Sequence, residues 1–101
     1  MILTRTALKK LSRIHLLSRK YNASGKRDHR SVLLKLLRKH CQEILLLFKK
    51  NKPHAIVETG DLLVLCLELM VEEGVSPDAV VATCFERYDR KLTQLLSRKK
   101  P

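Results

Sequence analysis

Apolar residues recur along this chain at helical rather than strand spacing, and they resolve into four amphipathic stretches. In the first, about Thr4 to Tyr21, the residues Leu3, Ala7, Leu11, Ile14, Leu17 and Tyr21 share a face, with Arg5, Lys9, Arg13 and Lys20 among the outward positions. Asn22 to Gly25 predicts a break, and Lys26-Arg27-Asp28-His29-Arg30 reads as a basic loop in which Asp28 or Ser31 caps the next helix. The second stretch, Ser31 to about Lys50, gathers Leu33, Leu34, Leu36, Leu37, Cys41, Ile44, Leu45, Leu47 and Phe48 on one half of the wheel. Lys35, Arg38, Lys39, Gln42, Glu43 and Lys49 occupy the other half, with Leu46 stranded among them. His40 falls on the apolar side with Glu43 beside it at the boundary, and Asn51-Lys52-Pro53 ends the pattern.

The third stretch, about His54 to Glu73, is apolar nearly all round apart from one line of acids: Glu58, Asp61, Glu68 and Glu72. Gly74 closes it, and Ser76-Pro77-Asp78 opens the fourth with a cap, a proline at the first position and an acid in the first turn. That helix runs to about Ser97, with Val80, Val81, Cys84, Phe85, Tyr88, Leu92 and Leu95 expected on its inner side. Four helices with short links predict a single all-α domain, a four-helix antiparallel bundle. Its parts are a basic N-terminal helix and loop (1–30), a core (31–97) and a basic tail (98–101). The third helix carries more apolar surface than one face of a small monomer covers, which predicts a homo-oligomer.

Composition narrows the core without changing this architecture. Of 101 residues, 45% are apolar but only 4% aromatic, with no Trp, so the core must be aliphatic. Charge does change the picture. Residues 1–54 hold 15 Lys/Arg against two acids, Asp28 and Glu43, whereas residues 55–101 hold six against eight. A basic half suits a polyanionic partner: nucleotide phosphates, a nucleic acid or an acidic protein surface. It also reads as a solvated face. Few aromatics leave no stacking platform for single strands. Cys41, Cys66 and Cys84 lack metal or redox spacing and read as reduced core residues of a cytoplasmic protein. No segment reaches the roughly 18 apolar residues of a membrane span, and no apolar run follows the cationic N-terminus as in a signal peptide.

Glu58 and Asp61 are the chemistry-bearing pair. Three residues apart on a helix, they share a face, and two carboxylates at the edge of an apolar helix repel one another. A hard divalent cation such as Mg²⁺, which takes oxygen ligands, makes such a pair favourable. The other reading is a solvated acidic stripe running on to Glu68 and Glu72, helped by the helix dipole. Glu43 is equally open between a metal role and an ion pair with Lys39 one turn before it, and His40 between a core-edge residue and a base or ligand.

The runs Ile56-Val57-Glu58-Thr59-Gly60-Asp61-Leu62-Leu63, Gly74-Val75-Ser76-Pro77-Asp78-Ala79-Val80 and Glu86-Arg87-Tyr88-Asp89-Arg90-Lys91 resemble the MazG-like all-α nucleotide pyrophosphohydrolases, relatives of the phosphoribosyl-ATP pyrophosphohydrolases. The resemblance covers roughly residues 31–92. It implies a helix carrying Glu-Glu-x-x-Glu, a helix opening Glu-x-x-Asp, and Mg²⁺ held by the four acids to activate water for cleavage between the α and β phosphates. Glu58 and Asp61 match the second motif directly, and Glu43 matches the last acid of the first. The two preceding acids fall on Lys39 and His40; a shifted alignment gives Gln42-Glu43 and Leu46 instead.

The resemblance thus implies a Mg²⁺-dependent nucleotide pyrophosphohydrolase, NTP to NMP and pyrophosphate, with weakened or lost activity. Glu43, Glu58 and Asp61 are its metal ligands, and Lys26, Arg27, Arg30, Lys39, Arg87 and Arg90 its phosphate or nucleic-acid contacts. The alternative is a non-catalytic all-α protein that uses its basic half to bind a nucleotide, a nucleic acid or an acidic protein.

Overall fold

The computed structural model describes residues 2–98 as four α-helices: α1 (Arg5–Ser24), α2 (His29–Lys49), α3 (His54–Glu72) and α4 (Pro77–Arg98). The all-α class is observed, with four helices and no strand among the described residues. No described helix is long and apolar enough to cross a membrane.

Helix starts follow the caps in the sequence. Thr4 Oγ1 accepts from the Ala7 N–H (3.0 Å), Asp28 accepts from both the N–H (3.0 Å) and the hydroxyl (2.7 Å) of Ser31, and Ser76 Oγ accepts from the Ala79 N–H (3.2 Å). Of the two caps open for α2, Asp28 is the one used. It starts the helix at His29, so His29 and Arg30 belong to the first turn and not to a loop.

The ends of α1, α2 and α3 share one device. After α1, the Lys26 N–H donates to Ala23 O (3.0 Å) and the Arg27 N–H to Asn22 O (2.9 Å). After α2, Asn51 donates to Phe48 O (3.1 Å) and Lys52 to Leu47 O (2.9 Å); after α3, Gly74 donates to Val71 O (3.0 Å) and Val75 to Met70 O (3.1 Å). Each is a Schellman closure, which needs a left-handed residue just past the helix. Those residues are Lys26 (φ 54°), Asn51 (φ 54°) and Gly74 (φ 75°). Only the third is a glycine. In the first turn Gly25 comes one position early and takes a negative φ, so α1 continues through Asn22 to Ser24 instead of breaking at Asn22.

Packing departs from a closed four-helix bundle. Antiparallel α2 and α3 make the most extensive pair, and α1 crosses the C-terminal end of α3, where Ser18 meets Glu68 and His15 meets Glu72. Of the other described helices, α4 contacts only α3. The backbone N–H groups of Ile2 (2.6 Å) and Leu3 (2.5 Å) donate to Asp78 Oδ1, which ties the chain start to the first turn of α4. Beyond that turn α4 projects, and the molecule measures 60 × 36 × 24 Å.

Val80, Val81 and Cys84 are half-buried, but Phe85, Tyr88, Leu92 and Leu95, expected on an inner side, are exposed, Phe85 by 62% and Tyr88 by 64%. The stripe is present in α4, but no helix lies opposite it. The buried apolar core is correspondingly thin: Leu11, Leu33, Ile44, Ala55 and Leu65. Of the three cysteines expected in the core, Cys66 and Cys84 are half-buried and Cys41 is exposed; burial, with a smaller contribution from Cys41, pushes the Cys66 thiol up.

Candidate functional site

Near the N-terminal end of α3, two helices present a polar cluster. His40 and Glu43, three residues apart on α2, face Glu58 in the second turn of α3. One ligand atom from each of the three lies within 4.8 Å of the others, and all three side chains are half-buried. Both oxygens of Glu58 are engaged by imidazoles: Oε2 accepts from His40 Nδ1 (2.9 Å) and Oε1 from His54 Nε2 (3.1 Å). His54 reaches Glu58 because the two are one helical turn apart. A groove of about 310 Å³ opens beside them, lined by Glu43, Leu46, Leu47, His54 and Glu58. Leu46, stranded among polar positions of α2, is therefore a wall of this groove.

Of the three carboxylates expected to act together, the fold joins Glu43 and Glu58. Asp61, one turn further along α3, is exposed and outside the cluster. Glu43 makes no ion pair with Lys39 among the described residues. The cations expected to contact phosphate are scattered. Arg30 is ion-paired with Glu73, 15 residues from Glu58 along α3 and so about 22 Å away at 1.5 Å per residue. That pairing, by hydrogen bond first and charge second, raises the Arg30 guanidinium further above its usual value. Arg27 stacks over the Tyr21 ring at 4.8 Å and donates to Tyr21 O (3.4 Å). Lys26 and Lys39 are exposed. Arg87 and Arg90 line a shallow 270 Å³ concavity along α4 with Tyr88, Lys91 and Gln94.

A second polar cluster, at the other end of α3, has no counterpart in the sequence reading. Glu68, expected on a solvated stripe, is 4% exposed. Its Oε2 accepts from Ser18 Oγ (2.8 Å) and lies 3.1 Å from Nε2 of His29, itself 7% exposed. That contact has the distance of an ion pair but not the alignment of a hydrogen bond, so His29 Nε2 is buried without a hydrogen-bond partner. His29 Nδ1 pairs with the side-chain amide of Asn22 at 2.8 Å.

Glu72 Oε1 meets His15 Nε2 (3.1 Å) and the Arg19 guanidinium. Burial pushes the Glu72 carboxyl up, but the hydrogen bonds from His15 and Arg19, with the charges of Arg19 and His29, outweigh it and hold the group below its usual value. The signal for this cluster was in the spacing: His15 and Arg19 are one turn apart on the first helix, and Glu68 and Glu72 one turn apart on the third.

No family model matches the chain, and neither a curated protein nor a solved structure matches it. What the site can do therefore rests on its own geometry. Two carboxylates from separate helices, with an imidazole between them and an open groove beside them, can hold a divalent cation while leaving positions for water or a substrate oxygen.

Proposed function

We propose that the chain is a MazG-like, divalent-cation-dependent nucleotide pyrophosphohydrolase of weakened activity, converting an NTP to NMP and pyrophosphate. The observation that carries this reading is the convergence of Glu43 and Glu58 from α2 and α3 on one groove with His40. Two carboxylates suit Mg²⁺, which keeps several waters, and the imidazole makes Mn²⁺ an equally good probe. A cation bound here supplies a water activated for attack on phosphorus. The protein's own part is positional: His40 and His54 fix the Glu58 carboxylate from both sides.

Among the described residues no Lys or Arg lines the groove, and the exposed apolar surface suggests where the cations a triphosphate needs would come from. Ile56, Val57 and Leu45 are exposed on α2 and α3, and Phe85, Leu92 and Leu95 on α4. A second copy that covers these faces would complete the thin core and could supply cations to the groove. The deciding experiment is pyrophosphate release from a panel of NTPs with Mg²⁺ or Mn²⁺. Release that Glu58→Gln abolishes supports the reading, and no release with any nucleotide removes the catalytic part of it.

One observation favours a second reading, a non-catalytic polyanion binder. α1 carries Arg5, Lys9, Lys10, Arg13, Arg19 and Lys20 and no acid, all six are exposed, and only Arg19 is ion-paired among the described residues. Binding to RNA or DNA through this helix would weaken steeply with salt, and replacing Lys9, Lys10 and Arg13 with Ser would flatten the slope.

A further inference from the structure

We propose that His15, His29 and Glu72 form a Zn²⁺-class metal site that clamps α1 onto the α2–α3 pair, with Glu68 completing the coordination. This site is separate from the Glu43–Glu58 groove and lies at the opposite end of α3.

Geometry is the first support. One ligand atom from each of His15, His29 and Glu72 lies within 4.8 Å of the others, and each residue comes from a different helix. A tetrahedral Zn²⁺ with bonds of about 2.0–2.1 Å sets its ligand atoms about 3.4 Å apart. His15 Nε2 and Glu72 Oε1, at 3.1 Å, are already near that separation. Glu68 Oε2 stands equally close to His29 Nε2 but outside the mutually spaced group, so it joins as the fourth ligand by rotating toward the other three.

An independent observation points to a ligand. His29 Nε2 is buried, lacks a hydrogen-bond partner and faces this cluster. A buried polar atom left unpaired costs free energy that a bound cation recovers. Asn22 is placed to prepare that nitrogen. The structure sets Asn22 Nδ2 against His29 Nδ1 at 2.8 Å, so metal binding turns this amide over: Oδ1 then accepts the Nδ1 proton and the Nε2 lone pair is freed.

Charge agrees. Two neutral imidazoles and the carboxylates of Glu68 and Glu72 balance a divalent cation, whereas two buried carboxylates without one depend on nearby cations. Arg19, the present cationic partner of Glu72, has its side chain 54% exposed and can swing into solvent when the site fills. Two imidazoles here, against one in the His40–Glu43–Glu58 group, shift the preference from Mg²⁺ toward Zn²⁺.

The test uses the full chain, stripped with a chelator and titrated with Zn²⁺ and, as a spectroscopic probe, Co²⁺. We expect one tight equivalent, a rise in Tm that grows with free Zn²⁺, and the visible absorption of four-coordinate Co²⁺. His15→Gln and Glu72→Gln should each weaken binding at least about tenfold, while Glu58→Gln leaves this equivalent intact. Absence of a Zn²⁺-dependent rise in Tm, or unchanged affinity in both variants, overturns the proposal, as does loss of the equivalent in Glu58→Gln. Should both variants unfold, X-ray absorption of Zn²⁺ on a His40→Gln/His54→Gln double variant decides: two imidazole ligands support the site, and fewer overturn it.

Discussion

The Glu68 carboxylate of α3 lies 3.1 Å from the His29 imidazole of α2, with both side chains buried, and Ser18 of α1 donates to the same carboxylate oxygen. One side chain thus joins three helices in a molecule with few buried apolar residues. Truncating one partner of such a cluster strands the others, typically at several kcal/mol. Glu68→Ala should cost about 3 kcal/mol and Ser18→Ala about 1. Urea denaturation of both variants checks the order, and a loss below about 1 kcal/mol for Glu68→Ala would contradict it.

Lys26 occupies a left-handed conformation that a Schellman closure gives most easily to glycine. The side chain is exposed, so nothing is lost by removing it. Lys26→Gly should therefore stabilise the protein by about 1 kcal/mol, less the extra freedom gained by the unfolded chain. A higher urea midpoint at unchanged slope is the expected result.

At the groove, the cation affinity should rank the carboxylates by their placement. Glu58→Gln should abolish Mg²⁺ or Mn²⁺ binding, Glu43→Gln should weaken it strongly, and Asp61→Asn should weaken it least because Asp61 is exposed and outside the cluster. Calorimetric titration of the three variants reads the order. Equal loss in Glu58→Gln and Asp61→Asn would place Asp61 in direct contact with the ion.

Acid should unfold this protein through specific carboxylates. Glu72 and Asp28 both ionise more readily in the folded chain. For Asp28 the hydrogen bonds from Ser31 are the leading cause; for Glu72 the His15 and Arg19 contacts outweigh burial. A depressed folded value contributes stability that is fully present above the unfolded value, 3.8 for Asp and 4.5 for Glu, and is lost as pH falls through the folded value. Stability should fall below about pH 4.5, and Glu72→Gln should flatten part of that fall; an unchanged profile would assign the acid sensitivity elsewhere.

Association should follow the stripe on α4. Sedimentation at micromolar concentration should give a species heavier than the 11.7 kDa chain. Phe85→Ser with Leu92→Ser should return it to a monomer without loss of helicity, because both residues are exposed in the single chain. A wild-type monomer would show that the stripe has another partner or none.

Helix number, type and most boundaries were determined by the sequence alone, because periodicity and capping act within a few residues of one another: Asp28 reaching Ser31, Ser76 reaching Ala79, Gly74 closing α3. α1 runs past the break expected at Asn22 for a related reason: the left-handed residue is Lys26, a type with no local preference for that conformation. Only the tertiary structure decided what each face meets. A wheel shows that Phe85, Tyr88 and Leu92 share a side, but not that α4 leaves the other helices before that side is covered. It shows Glu68 and Glu72 in line with Glu58 and Asp61, but not that α1 crosses the far end of α3 and buries Glu68. The candidate site divides the same way. The prominence of Glu58 came from its neighbours in sequence; its meeting with His40 and Glu43, and the separation of Asp61 from all three, depend on how α2 packs against α3, a contact between residues far apart in the chain.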